Sequence, residues 1–400
     1  MTRNSRDDEE WAEEKNRKRT PQRKEGQSGC RCMVKLFIAL LIVGGVVGAL
    51  IGVYGIEEMK SWVGLGLKLD PITIPDDTGT GTNSTNNGDG GGDPDPPVDP
   101  PVDPDPPIDP NACNGLLSNC GMKVNELLFA SVHNSNHHET PFPNNEAPLE
   151  EALEAGYRSL QIDVCNCPNE ENESIIEVVF CHGLCTIGRR DPASVFTNIS
   201  DFLKLNEKDV VIINFELNDA NAGTGVPTSQ ELWDVIPNVG LKTKVYDYQG
   251  GEWPTLQNLL DDDKQLIFFK HNGNVCNNGD TSNGCVDKIE ELHTYTLETR
   301  YDLTTIKDME DATLGCSGDR GVGGTKDFYA LNNFLPAFTS LPSKQNSETL
   351  NSKAFLEKRL EDCETLTGLK PNFINVDFWQ IGDLVEVVRD ANQARALSAV

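Results

Sequence analysis

Seven apolar, β-rich runs recur between residues 127 and 378 of this 400-residue chain. They are LLFASV (127–132), SLQIDV (159–164), IIEVVFC (175–181), DVVIINFEL (209–217), QLIFFK (265–270), DFYALNNF (327–334) and NFINVDF (372–378). A further strand near Leu292–Leu297 is less clear. Near-continuous apolar strands suggest burial on both faces, as in a parallel sheet covered by helices. Helical patterns separate several of the runs, at Pro148–Ala155, Pro192–Leu205 and Leu350–Leu366. The alternation predicts an α/β domain of the (β/α)8 TIM-barrel type over 112–400. A doubly wound sheet is the alternative, but no Gly-rich phosphate fingerprint follows the first strand.

What precedes the domain is of another kind. Residues 1–33 form a polar, mixed-charge tail. Segment 34–56 contains Leu36 to Ile56, 21 residues without a charge. At 1.5 Å per residue a helix of that length spans about 30 Å, the thickness of a bilayer core. A signal peptide would be shorter and followed by a small-residue cleavage site, which the flank EEMKSWVGLG does not offer. The basic cluster ahead of it, from Lys15 to Lys35, predicts a single-pass type II anchor with its N-terminus in the cytosol and its main domain extracellular or lumenal. Gly44, Gly48 and Gly52 fall four apart on one helix face. That spacing allows a homodimer seam, although glycine is also common in membrane spans. Residues 57–111 are rich in Gly, Asn, Pro and Asp and read as a stalk, flexible at first and then extended polyproline.

Charge and cysteines agree with that layout. The net charge is −29, so nucleic acid is excluded as a natural partner. Cys30 and Cys32 precede the span, where palmitoylation is open to them. The other ten cysteines follow it. An even number beyond a membrane span predicts disulfides in an oxidising compartment. A metal site at Cys165, Cys167, Cys181 and Cys185 is the rival reading, and no zinc-type pairing pattern elsewhere favours it. Sequons at Asn83, Asn172 and Asn198 fall on the same side and add weak support for a glycoprotein.

In a barrel, polar residues at the C-terminal strand ends carry function. Strand one ends on His133-Asn134, strand two carries Gln161 and Asp163, strand three ends on His182-Gly183, strand four carries Glu216 and the last strand carries Asp377. With six histidines in the chain, two at matching strand ends are informative. Each residue alone has a bland reading as a turn or loop-capping group; the joint arrangement shifts the balance. Asp377 is placed to orient His133, as a carboxylate fixes the tautomer of a working imidazole, or to cap a loop. Lys270, ending strand five, is read as a solvated lysine or a phosphate contact.

SVHNS, GYRSLQIDV, VVFCHG and DVVIINFEL resemble, in order and spacing, the X-domain of phosphatidylinositol-specific phospholipase C. The closer likeness is to the secreted or membrane-linked branch of plants and fungi, through GGEWPTLQNLLDDDKQLIFF, ALNNFLP and PNFINVDFW. The resemblance covers about residues 112–395 and implies a phosphoric diester hydrolase. By that resemblance His133 assists attack by the inositol 2-hydroxyl and His182 protonates the leaving diacylglycerol oxygen. Imidazole titrates near neutrality and suits both tasks. Asn134, Asp163 and Glu216 match the calcium-binding positions of the eukaryotic branch, an oxygen set that suits Ca2+. Gln161 stands where the calcium-dependent enzymes carry a carboxylate, which weakens the expected site. Arg158 lies too early to replace the metal, as an arginine does in the bacterial branch. The expected substrate is an inositol phospholipid or, given the outward topology, a glycosyl-phosphatidylinositol-type lipid. Two other readings stay open: a related barrel phosphodiesterase of the glycerophosphodiester or sphingomyelinase D type, and a non-catalytic surface binding protein.

Overall fold

The computed structural model describes residues 109–398 except 141, 221–222, 238–239, 277–281 and 336–340. The expected tail, membrane span, glycine seam and nearly all of the stalk lie outside the described residues, as do Cys30, Cys32 and Asn83. Among those described, no helix is long and apolar enough to cross a membrane.

Ten strands form one sheet: β1 (Phe129–Val132), β2 (Ser159–Pro168), β3 (Ile176–Phe180), β4 (Val211–Asn218), β5 (Leu266–His271), β6 (Glu290–Glu291), β7 (Thr296–Thr299), β8 (Gly318–Arg320), β9 (Phe328–Asn332) and β10 (Phe373–Val376). Their order is β6-β5-β4-β2-β1-β10-β9-β7-β8, with β3 attached to β2. From β6 round to β7 every neighbour is parallel, through the ladders of β1, β2, β4, β5, β9 and β10. Among the described residues no ladder joins β6 to β7, which are linked by the short helix Leu292–Tyr295. The architecture is therefore an incomplete α/β barrel.

The eighth run resolves into β6, that helix and β7. One expected strand differs in kind: β3 is no barrel strand but the antiparallel return arm of a hairpin with β2, pairing Val164 with Phe180. A parallel crossover needs a dozen residues or more. The polar turn Asn169–Ile175 is too short for one. β3 therefore descends, and its end brings Cys181 and His182 back to the level of Asp163, whose carbonyl accepts the Cys181 N–H.

Strand alternation divides the barrel. Leu160, Ile162 and Val164 of β2 and Val211, Ile213 and Phe215 of β4 face outward into one buried cluster. Helix Pro192–Leu205 covers it with Val195, Phe196 and Ile199. That helix starts where it does because Asp191 accepts from the Ala193 and Ser194 N–H groups and Pro192 occupies the first turn. The inward faces start apolar and finish polar. At the base Phe129, Phe269, Phe328, Phe373 and Trp253 pack together, with Trp253 and Phe328 rings 4.8 Å apart. Burying each such side chain contributes about 1.5–3 kcal/mol. Phe328→Ala would open that plug at a cost of about 3–5 kcal/mol. All ten cysteines beyond the stalk are paired: 113–120, 165–181, 167–185, 276–285 and 316–363.

Candidate active site

The mouth is built by register. Asp163 of β2, Glu216 of β4 and His271 of β5 are partners across three adjacent strands. On the other side of β2, β1 delivers His133 one residue beyond Val132, and β10 delivers Asp377 one residue beyond Val376, its partner. Inward parity points all five side chains at one opening.

Two imidazoles there are each held by an aspartate. His133 Nδ1 lies 2.8 Å from Asp377 Oδ1, and that carboxylate is almost fully buried. A carboxylate only accepts, so Nδ1 carries the proton and Nε2 is left as the basic nitrogen. The ring is also fixed in plane, stacked on Phe334 at 3.7 Å with a 2° interplanar angle. His182 Nδ1 lies 3.1 Å from Asp163 Oδ2. Burial draws the His182 pKa down, but the hydrogen bond and charge of Asp163 outweigh it and the net shift is upward. The two rings are thus held differently: His133 through Nδ1 on the buried Asp377, His182 through Nδ1 on Asp163, which shifts its pKa upward.

The carboxylates are crowded. Burial and the neighbouring Glu216 charge raise the Asp163 pKa against the pull of His182. Burial pushes Glu216 up too, but His271, with Arg320 further off, holds it down at about 2. His271 Nε2 sits 3.1 Å from Glu216 Oε2, an ion-pair distance whose N–H direction is too poor for an aligned hydrogen bond. Asn134 follows β1 in the left-handed region (φ 44°) and donates to Asn144 Oδ1 at 3.3 Å. Gln161, two residues below Asp163 on the same strand face, is half-buried. Among the described residues no three His, Cys, Asp or Glu side chains converge as a metal cluster. The oxygen donors carried by these segments are the carboxylates of Asp163 and Glu216 and the amides of Asn134 and Gln161.

Several participants are not anticipated from sequence. Asn144 donates from Nδ2 to Asp377 Oδ1 at 2.8 Å. His137 bonds Asn144 Oδ1 through Nδ1 at 2.7 Å and stacks on His182 at 4.2 Å. Burial, and then the His182 charge, lower its pKa to about 4, so it is neutral. His271 was legible by parity, since Ile267 and Phe269 already face inward. The same parity turns Lys270 outward, where it is fully buried against Glu291 and the Asn274 carbonyl. Lys270 is neither solvated nor a mouth residue, because Glu291 neutralises it behind the sheet. Arg158 is structural: it pairs with Asp209 at 2.7 Å and caps the Leu153 carbonyl.

Fold and mouth together define a class, an α/β barrel with two carboxylate-held imidazoles at the C-terminal strand ends. The PI-PLC X 1 family profile matches residues 119–392. The chain belongs to the PI-PLC X-domain family. It is 23% identical over 299 residues to PI-PLC X domain-containing protein 1 of Arthroderma benhamiae, covering 70% of this chain and 89% of that protein. Among solved structures it is similar to phosphatidylinositol-specific phospholipase C from Listeria monocytogenes, with 14% identity, TM-score 0.46, and coverage of 68% of this chain and 94% of that one. A variant of the corresponding Staphylococcus aureus enzyme gives 12% identity, TM-score 0.47, and coverage of 68% and 95%. Likenesses at that level assign no residue its role.

Proposed function

We propose that the protein is a phosphoric diester hydrolase of the phospholipase C type acting on an inositol phosphodiester. The observation that carries this is the pair of differently poised imidazoles, His133 on Asp377 and His182 on Asp163, at one barrel mouth. His133 Nε2 takes the proton of the hydroxyl adjacent to the phosphate. That oxygen forms a bond to phosphorus as the bond to the glycerol oxygen breaks. His182 donates its Nε2 proton to the leaving oxygen. The products are a cyclic inositol phosphodiester and diacylglycerol, or the corresponding anchor lipid. Each imidazole ends in the other's starting state, and water attack on the cyclic diester resets both. Asp377 holds His133 in the tautomer that leaves Nε2 basic, and Asp163 favours the protonated form of His182.

Calcium fits the donor set. Asn134, Asp163 and Glu216, with Gln161 as a neutral fourth, are oxygen donors of the kind Ca2+ takes. Burial, and then the neighbouring Glu216 charge, raise the Asp163 pKa, and a cation would offset both. Such an ion would neutralise charge building on phosphorus. The lack of a third carboxylate argues for weak binding.

The substrate is either phosphatidylinositol or an inositol-phosphate membrane anchor. Five disulfides support an oxidising compartment, where the anchor lipid is the accessible one. The test is product identity. Released water-soluble inositol cyclic phosphate is expected; release of choline or glycerol phosphate instead would replace this reading with another barrel phosphodiesterase.

A further inference from the structure

His137 stacks on His182 and meets Asn144, which bonds Asp377, without being able to join the chemistry. Its side chain is buried, with 2% of the residue exposed, and both ring nitrogens are engaged. Nδ1 is 2.7 Å from Asn144 Oδ1, and Nε2 meets the Thr140 hydroxyl. The tautomer follows from the chain of partners. Asn144 gives its NH2 to Asp377 Oδ1 at 2.8 Å, and that oxygen also takes the His133 Nδ1–H. The amide oxygen of Asn144 therefore faces His137, whose Nδ1 must donate to it. The Asn144 backbone N–H also approaches Nδ1, at 3.4 Å, and is the weaker contact. One face of the His137 ring lies against His182, with centroids 4.2 Å apart and planes 28° apart. Gly188 closes over the pair: in its left-handed conformation (φ +65°) an added Cβ would stand 3.0 Å from His137 Cδ2 and 3.4 Å from His182 Cβ.

We infer that His137 is a positioning residue: a fixed wall that holds the His182 ring at the leaving oxygen. The inference rests on the phospholipase C-type reading above. A single hydrogen bond at Nδ1 fixes one atom of His182, and torsion about the Cβ–Cγ bond of a histidine is otherwise broad. A ring stacked on its face removes that freedom.

The test uses the full chain in detergent, with His137→Ala and His137→Phe, against phosphatidylinositol in mixed micelles and a 4-nitrophenyl inositol phosphate. The nitrophenolate leaves without a proton. A residue acting through His182 should therefore matter for the lipid and far less for the activated ester. Misplacing a reacting group by about 1 Å costs on the order of 10²-fold, so His137→Ala should lower kcat on the lipid by about tenfold to 10²-fold with KM nearly unchanged, and should lower it on the ester by less than about threefold. His137→Phe keeps the wall and should recover most of the lipid activity. Equal losses on both substrates, no loss on either, or a Phe variant as poor as the Ala variant would each overturn the inference. A second arm needs no turnover. His182 has a side chain 32% exposed, and its carbethoxylation by diethylpyrocarbonate, followed peptide by peptide, should speed up in His137→Ala and not in His137→Phe; an unchanged rate refutes the wall. A wild type inactive on both substrates would sink the proposed function while this arm still decides the positioning.

Discussion

Asp377 offers the sharpest perturbation of the proposed mechanism, because its carboxylate can be neutralised without changing its shape. Oδ1 accepts from His133 Nδ1 and Asn144 Nδ2, both at 2.8 Å. An asparagine oxygen has two lone pairs and can keep both bonds, so Asp377→Asn removes charge and little else. Hydrogen bonds to a charged acceptor contribute about 1.5–3 kcal/mol, against about 0.5–1.5 for neutral pairs. The part that matters for rate is the part gained as His133 becomes an imidazolium. A loss of about 1–3 kcal/mol in the transition state is a drop of about 5-fold to 150-fold in kcat, at about 1.4 kcal/mol per decade. Asp377→Ala also frees the ring to turn, so it should approach the full cost of losing a base, on the order of 10²–10⁴. The assay sets each variant against the lipid and the nitrophenyl ester. Both Asp377 variants should lose activity equally on the two substrates, since attack is common to them. His182→Ala should lose it mainly on the lipid. If the Asp377 variants were rescued by the activated ester as well, His133 would not be the group that assists attack. Full activity in Asp377→Ala would remove the pair from the mechanism altogether.

Three further outcomes are expected. His182 has a raised pKa, so it keeps its proton to higher pH than a free imidazole; lipid cleavage should fall as pH rises through that raised value, and this alkaline limb should vanish with the nitrophenyl ester. Gln161→Glu adds a charge beside Asp163, so calcium should support activity at lower concentration than in the wild type; full activity in strong chelator for both would show that Asn134, Asp163 and Glu216 hold no metal. Glu290 is buried with one carboxylate oxygen unpaired, and burial, opposed by the Tyr295 hydroxyl, raises its pKa to about 7. The folded state then binds more protons than the unfolded between about pH 4.5 and 7, so stability should decline across that window as pH rises, and Glu290→Gln should flatten the decline and stabilise the protein above it by about 1–3 kcal/mol, read by denaturant unfolding at pH 5 and pH 8.

Much of the barrel is legible because burial on both faces leaves a plain mark: DVVIINFEL and QLIFFK have no polar side to spare. What the runs do not carry is direction. IIEVVFC has the composition of a barrel strand, yet β3 returns antiparallel because the turn before it is too short to hold a helix. The C-terminal helix Leu384–Ser398 escapes notice for the opposite reason. Its buried side is only Leu384, Val387 and Asn392, and Asn392 is spent on the Leu128 backbone rather than on an apolar stripe. Disulfide partners were likewise unreadable, since ten cysteines permit many pairings and only the return of β3 brings Cys181 and Cys185 to Cys165 and Cys167.

The mouth divides the same way. His133, Asp163, Glu216 and Asp377 stand at strand ends, where alternation alone tells which side they face. His182 reaches them by a route the alternation could not foretell, down a hairpin pinned by two disulfides. That route has a consequence for the chemistry. A barrel strand carries its side chains on a sheet laddered along both edges, whereas among the described residues β3 forms a ladder with β2 alone; its other edge is met by the single Phe180–Arg190 bridge, and the His182 N–H by the Ile187 carbonyl. The missing constraint is supplied locally: two disulfides flank the residue, Asp163 fixes one nitrogen, and the His137 ring and Gly188 confine the plane. The density of small restraints around His182 is thus explained by its position off the barrel, and the general acid of the proposed reaction is the group whose placement depends most on residues that never meet the substrate.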